Sequence, residues 1–305
     1  MSILTNPIKN VFKKFFWRCQ RETFSRVQIA DELMRQLVDV KKIPAARGFL
    51  RVHQLASTVL LNRICEVIEQ HRIPYWISYG TLLGAVRHGG FIPWDDDVDI
   101  CVMRSDYYKV EKLINDSSIR LSCVVQRADC IRVSVAGLSC QVDIFPMDVF
   151  ECDEDFSNAR VRILASHANY HSRVKYDWHM LKCGKRPIIN LSESEIDSMA
   201  RKITAGYSGN NKYLMLGFEA TDLKYDILRY GDIFPLQRLK FEGFDFYAPA
   251  CPQRVLATYY GDYMVLPSKC CPHEDIQVRV NIDSCLKMME IIESDGAFPS
   301  LEGIL

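Results

Sequence analysis

The sequence predicts an α/β fold of the α+β kind, a mixed sheet with helices packed on it, and three observations carry that expectation. Residues 50–70 place Leu50, Leu55, Val59, Leu60, Ile64, Val67 and Ile68 at a period of about 3.6, that of an amphipathic helix. "YWISY" at 75–79 is an aromatic and β-branched run closed by Gly80, which fits a short strand. Strand-like and helix-like stretches then alternate, with "DDVDICV", the helical "SDYYKVEKLIND", and the strands "RLSCVVQ", "CIRVSVAG" and "CQVDIFPMDVF".

Taken in order, the chain opens on "NPIKNVFKKFFWRCQRETF", which sets Lys9, Lys13, Lys14, Arg18 and Arg21 beside Phe12, Phe15, Phe16 and Trp17. At helical spacing this is an apolar side with basic flanks, suited to peripheral membrane contact through residues 9–24 or to packing on the core or a partner subunit. The helix over 50–70 stops before Pro74. After the strand, Thr81 is an N-cap for a short helix to about His88, and Gly89-Gly90 close it. Residues 157–180 and 192–205 read as helices, "LQRLKFEGFDFYAP" as a hairpin, and "CPQRVLATYYGDY" and "DSCLKMMEIIES" as closing helices. With no internal repeat and no long linker, this gives a helical extension over 1–48 and one domain over 49–305, with a helical insertion at about 150–231.

Composition removes several classes of function. A chain of 305 residues, 48% hydrophobic, supports a packed core, and 38 basic residues against 38 acidic ones leave no net field for coating nucleic acid. The 12 cysteines are scattered and form no CxxC, so reduced, mostly buried thiols and a cytoplasmic setting are expected. Cys270, Cys271 and His273 lack a second ligand pair for zinc, with loop packing as the ordinary reading. No stretch approaches the roughly 20 apolar residues of a membrane span, and none has the form of a signal peptide. There is no P-loop, and Gly206-Tyr207-Ser208-Gly209 lacks the spacing of a nucleophile elbow.

The informative feature is Asp95, Asp96, Asp97 and Asp99. If the strand includes them, Asp97 and Asp99 share a face about 6.6 Å apart, Asp95 lies just before, and Asp96 is opposed. Clustered carboxylates repel and resist ionisation unless water or a cation relieves them. Magnesium suits such a set, and a metal pair can clamp a displacement at phosphorus. A solvated turn is the alternative, against which stands an apolar strand between Trp94 and Val102. An EF-hand is excluded, because the sixth and twelfth places counted from Asp95 hold Ile100 and Asp106.

Around the run, Gly80 and Thr81 can present backbone N–H groups to phosphate at a helix start, Arg87 can hold phosphate bidentately, and His88 can donate a hydrogen bond or pack. Trp94 and Phe91 can stack on a base or belong to the core. Asp143 lies between Val142 and Ile144, so its charge needs a partner, which a buried ion pair would also supply. Asp148 follows Pro146 and has the weaker claim, with a turn cap as the alternative.

Strand, Gly80-Thr81, short helix and Asp97-Val98-Asp99 together resemble the nucleotidyltransferase fold of the DNA polymerase β type. "YWISYGTLLGAVRHGGFIPWDDDVDI" more closely resembles the LicD-type phosphotransferase family, whose relatives include fukutin and fukutin-related protein. "VDIFPMD", "LKFEGFDFYAP" and "YYGDYMVLP" extend the likeness over about 50–149 and 232–267; Glu242 and Asp262 fall in the later part without a derivable role.

The resemblance implies transfer of a phosphoalcohol from CDP-choline, CDP-glycerol or CDP-ribitol to a hydroxyl of a cell-surface glycan or its lipid-linked precursor, with release of CMP. It implies magnesium or manganese on Asp95, Asp97, Asp99 and Asp143, with Asp97, Asp99 and Asp143 catalytic and Asp143 the general base. Gly80, Thr81, Arg87, His88 and Trp94 would hold the donor, residues 150–231 would select the acceptor, and the work would be done at the inner face of a membrane. A nucleotidyltransferase acting on a sugar, small molecule or protein from a nucleoside triphosphate is the alternative enzyme. An inactive scaffold is the third reading, opposed by the intact Asp97, Asp99 and Asp143.

Overall fold

The computed structural model describes residues 35, 37–116, 123–127, 130–174, 189, 191–220, 227–267, 270, 282–296 and 298, with 123–127 as backbone alone. The basic stretch at 9–24, Cys271 and His273 lie outside the described residues. The chain divides into two units, Met1–Ile43 with Met264–Cys270, and Pro44–Tyr263 with Cys271–Leu305. In the first, a 3-10 turn at Val40–Lys42 is capped by Asp39, whose carboxylate accepts from the Lys41 N–H. Arg35 Nε donates to the Leu266 carbonyl at 2.7 Å. All further elements belong to the second unit.

Helix α1 (Gly48–Gln70) realises the expected periodicity, burying Leu55, Val59, Leu60, Ile64 and Ile68. It also buries His53, Gln54 and Thr58, which its apolar pattern does not explain. Strand β1 (Tyr75–Ile77) and helix α2 (Tyr79–His88) follow, and Gly89, at φ 70°, ends α2 in the left-handed region as expected. Thr81 is not the N-cap. The extended Ser78 holds that position and the helix starts at Tyr79, because the Thr81 hydroxyl is engaged elsewhere.

Strand β2 (Asp99–Met103), helix α3 (Arg104–Asp116), and strands β3 (Cys123–Arg127), β4 (Ile131–Val135) and β5 (Gln141–Cys152) build the centre of a mixed sheet in the order β1-β2-β5-β4-β3. Strands β2 and β5 are parallel, whereas β1 and β4 run antiparallel to their neighbours. The stretch after β5 carries the two expected helices, α4 (Phe156–His171) and α5 (Glu193–Ala205). It also adds strands β6 (Asn211–Leu216) and β7 (Leu228–Arg229) to the sheet. The apolar run "YLML" in β6 is too short for its period to announce a strand.

Strand β5 carries Pro146, which cannot donate to a ladder. It is tolerated because β4 pairs β5 only as far as Ile144 and β6 takes over at Met147, so the proline falls where the neighbouring strand changes. The change also splits the core. Trp76, Ile100, Val133 and Ile144 belong to the main cluster with α1, and Phe150, Ile163, Ile196 and Met215 form a second one under α4 and α5.

After helix α6 (Tyr230–Ile233), the expected hairpin is present as β8 (Gln237–Phe241) and β9 (Phe244–Ala248), followed by helices α7 (Pro252–Tyr260) and α8 (Ile282–Asp295). Its two-residue turn sets Glu242 at φ 50° and Gly243 at φ 88°, the positive values of a type I′ turn. That turn gives Glu242 a role. Its carboxylate takes both terminal nitrogens of Arg51 in α1, each at 2.7 Å, and accepts the Phe91 N–H at 2.9 Å. Gly90 is required here, since a Cβ would stand 2.4 Å from Glu242 Oε1.

The Arg51 and Glu242 side chains are only 17% and 9% exposed. Glu242→Gln should therefore lower unfolding stability by about 3 kcal/mol by stranding a buried guanidinium. Lys240→Ala, which removes the exposed pair with Asp245, should change it by less than about 0.5 kcal/mol. Urea denaturation of both variants checks this, and similar losses would show that the hairpin is held by its apolar face alone.

Candidate active site

The acidic run is not part of a strand. Residues 95–98 have no regular structure and β2 begins at Asp99, so alternation along the pleat does not govern where Asp95, Asp96 and Asp97 point. Asp96, expected to be opposed, instead joins its neighbours: one carboxylate oxygen from each of Asp95, Asp96 and Asp97 lies within 4.8 Å of the others. Asp95 and Asp96 are buried and Asp97 is half-buried.

The backbone of the run is fixed from α1. Gln54 Nε2 donates to the Asp95 carbonyl at 2.8 Å, and His53 Nε2 lies 2.6 Å from the Asp96 carbonyl. The Asp99 N–H donates to Thr81 Oγ1 at 2.8 Å, tying β2 to α2. The space a side chain would need at Gly80 is taken by Asp95, whose Oδ2 would stand 2.4 Å from a Cβ there. Gly80 thus admits a carboxylate to the start of α2, where the helix dipole favours negative charge.

Asp99 and Asp143 are direct partners across the parallel pair β2 and β5, so both side chains leave the same face of the sheet. Asp143 is buried, and both its oxygens accept from Arg132 of β4, at 2.7 Å each. The ion pair weighed for Asp143 is present, and the register also sets this carboxylate beside the acidic run.

Arg87 is buried, donates from Nη1 to the Tyr263 carbonyl and from Nε to His88 Nε2, both at 2.9 Å, and lies 5.8 Å from the Trp94 ring centre. Burial and then the Arg87 charge push the His88 pKa down from 6.5 to about 4, so the ring is a neutral acceptor at pH 7. Trp94 packs against the main core while facing Arg87.

Sequence reasoning did not single out Tyr259 and Tyr260 at the end of α7. Tyr259 stacks on Tyr79 at 4.8 Å, with its hydroxyl 3.3 Å from Ser78 Oγ. Burial, followed by the charges of Asp99, Asp95 and Asp97, pushes the Tyr260 phenol pKa up and keeps it a proton donor. The only local signal for these residues, or for His53, Gln54 and Arg132, is a polar group inside an apolar pattern. Asp148 is placed elsewhere: with Glu219 it holds the Arg104 guanidinium, in a buried cluster. Asp262 is exposed just beyond α7.

The residues present fit a hard divalent cation. All three gathered donors are carboxylate oxygens, the chemistry magnesium and manganese take, and positive charge among them would offset their repulsion. Among the described residues no helix is long and apolar enough to cross a membrane.

Comparison with known proteins agrees with the motif. Residues 72–147 match the family described as LicD/FKTN/FKRP, nucleotidyltransferase domain. Over 60 residues the chain is 43% identical to the lipopolysaccharide cholinephosphotransferase LicD of Haemophilus influenzae, which is 20% of this chain and 23% of that protein. It is 47% identical over 50 residues to the human ribitol 5-phosphate transferase FKRP, 16% of this chain and 10% of that one. It is 29% identical over 82 residues to the mouse ribitol-5-phosphate transferase FKTN, 27% of this chain and 17% of that one. The matched stretches thus span under a quarter of each relative's length.

Burial also lowers the His167 pKa from 6.5 to about 4. Between those values the unfolded chain binds protons that folded His88 and His167 refuse, so stability falls as pH drops through the window. His88→Gln is expected to flatten that acid-side decline in the urea midpoint, and an unchanged slope would show that the folded ring does protonate.

Proposed function

We propose that the protein is a metal-dependent phosphotransferase. It moves a phosphoalcohol, phosphocholine or glycerol or ribitol phosphate, from a CDP-linked donor to a hydroxyl of a cell-surface glycan or its lipid-linked precursor, releasing CMP. The observation that carries this reading is the carboxylate cluster at the start of α2, inside a segment similar to proteins named for cholinephosphate and ribitol phosphate transfer. The basic amphipathic composition of 9–24 supports work at the inner face of a membrane.

Asp95, Asp97, Asp99 and Asp143 would hold magnesium or manganese, with Asp96 brought into the set by the irregular backbone before β2. The cation would neutralise charge on the donor diphosphate. Arg87, buried and oriented by the Tyr263 carbonyl, would supply a fixed positive charge to the leaving CMP, and the Tyr260 phenol a hydrogen bond. In the transfer, the acceptor oxygen bonds to the donor's alcohol-bearing phosphorus, the bond from that phosphorus to CMP breaks, and the hydroxyl proton passes to Asp143. For that, the Arg132 guanidinium must yield at least one Asp143 oxygen.

Two outcomes are expected. In thermal unfolding, one CDP-alcohol stabilises the protein only with magnesium, by about 2.7 kcal/mol at a hundredfold excess over Kd, and Asp97→Asn abolishes the effect. Stabilisation by CTP or ATP alone would point to nucleotidyl transfer, and none by any nucleotide to a scaffold. Arg132→Met, measured in a metal chelator, should cost about 3–5 kcal/mol by leaving Asp143 buried and unpaired. Magnesium should then restore more stability to that variant than to the wild type. Equal responses would place Asp143 outside the metal site.

A further inference from the structure

A cleft of about 570 Å³ opens where the start of α4 meets β6, β7 and the adjoining helices, and none of the acidic-run residues lines it. That volume lies within the range of small-ligand sites, roughly 300–1,000 Å³. Its walls include Phe156, Lys212, Arg229, Asp232 and Arg254.

Three cations and two carboxylates line it, and two of the cations are already in ion pairs. Asp155, at the cleft's edge, accepts the Asn158 N–H at 3.0 Å as the cap of α4, and Asp232 takes Arg254 Nε at 2.7 Å. Lys212 pairs with Glu151 at 2.6 Å and remains half exposed. Arg229 is exposed and lies 3.8 Å over the Phe156 ring, and among the described residues no carboxylate pairs with it. Contact with a ring face engages none of a guanidinium's N–H donors, and a guanidinium fork can take two oxygens of one phosphate. Lys212 and Arg254 add two further cations to the same walls.

We propose that this cleft binds a phosphate group, with Arg229 as its bidentate contact, and that the phosphate belongs to the acceptor, as a sugar phosphate ester or the diphosphate of a lipid-linked saccharide. The position suits this, because most of the walls, from Asp155 to Gly231, come from the stretch at 150–231 that the motif likeness does not cover, while Asp232 and Arg254 lie beyond it. Assignment to the acceptor rests on the transfer reading. Phosphate binding does not.

The test is titration calorimetry of the full chain in a metal chelator, with glucose 6-phosphate, pyrophosphate, inorganic phosphate and glucose as probes. Glucose 6-phosphate or pyrophosphate should bind, glucose should not, and Arg229→Gln should weaken binding at least tenfold while Arg229→Lys weakens it less. Tighter binding of pyrophosphate than of glucose 6-phosphate would identify a diphosphate as the source, and the reverse a phosphate ester. No binding of any phosphate, or equal binding by Arg229→Gln with an unchanged circular dichroism spectrum, would overturn the proposal. Stabilisation of the wild type by magnesium and CDP-choline, measured on the same preparation, reports separately on the transfer reading.

Discussion

Negative charge concentrated at one end of a sheet repels itself, and much of this fold serves to hold it in place. The restraints act on the backbone. Gln54 and His53 take the carbonyls of Asp95 and Asp96, Thr81 takes the Asp99 N–H, and the Asp143 N–H reaches the Val98 carbonyl at 2.9 Å. With the main chain fixed in this way, one carboxylate oxygen from each of Asp95, Asp96 and Asp97 stays within 4.8 Å of the others.

The same economy explains residues far along the chain. Glu242 sits in a tight turn more than a hundred residues beyond the acidic run, yet it joins Arg51 of α1 to the Phe91 N–H and so fixes the loop that leads into Trp94 and Asp95. Tyr259 at the end of α7 closes another side by stacking on Tyr79 beside Gly80. Their contacts with the loop and with α2 bring both segments to the acidic run despite that distance.

The stretch from α4 to β7 has a separate logic. Pro146 marks the point at which β5 exchanges one neighbour for another, and beyond it β6, α4 and α5 enclose a second core. Lys212 and Arg229 of the cleft belong to this region, and none of the acidic-run residues lines that cleft.

The α/β class, the helix over 50–70, the hairpin at 237–248 and the acidic motif are legible in the residues alone, because each depends on local period, turn chemistry or an uninterrupted run of residues. Which acids gather became visible in the folded chain, since that depends on where β2 begins and not on how many aspartates precede it. Likewise, the pairing of Asp143 with both Asp99 across the sheet and Arg132 beside it comes from strand register, which no single segment encodes. Strand β6 escaped notice because four apolar residues fit a helix or a strand equally well until a neighbour's hydrogen bonds choose between them.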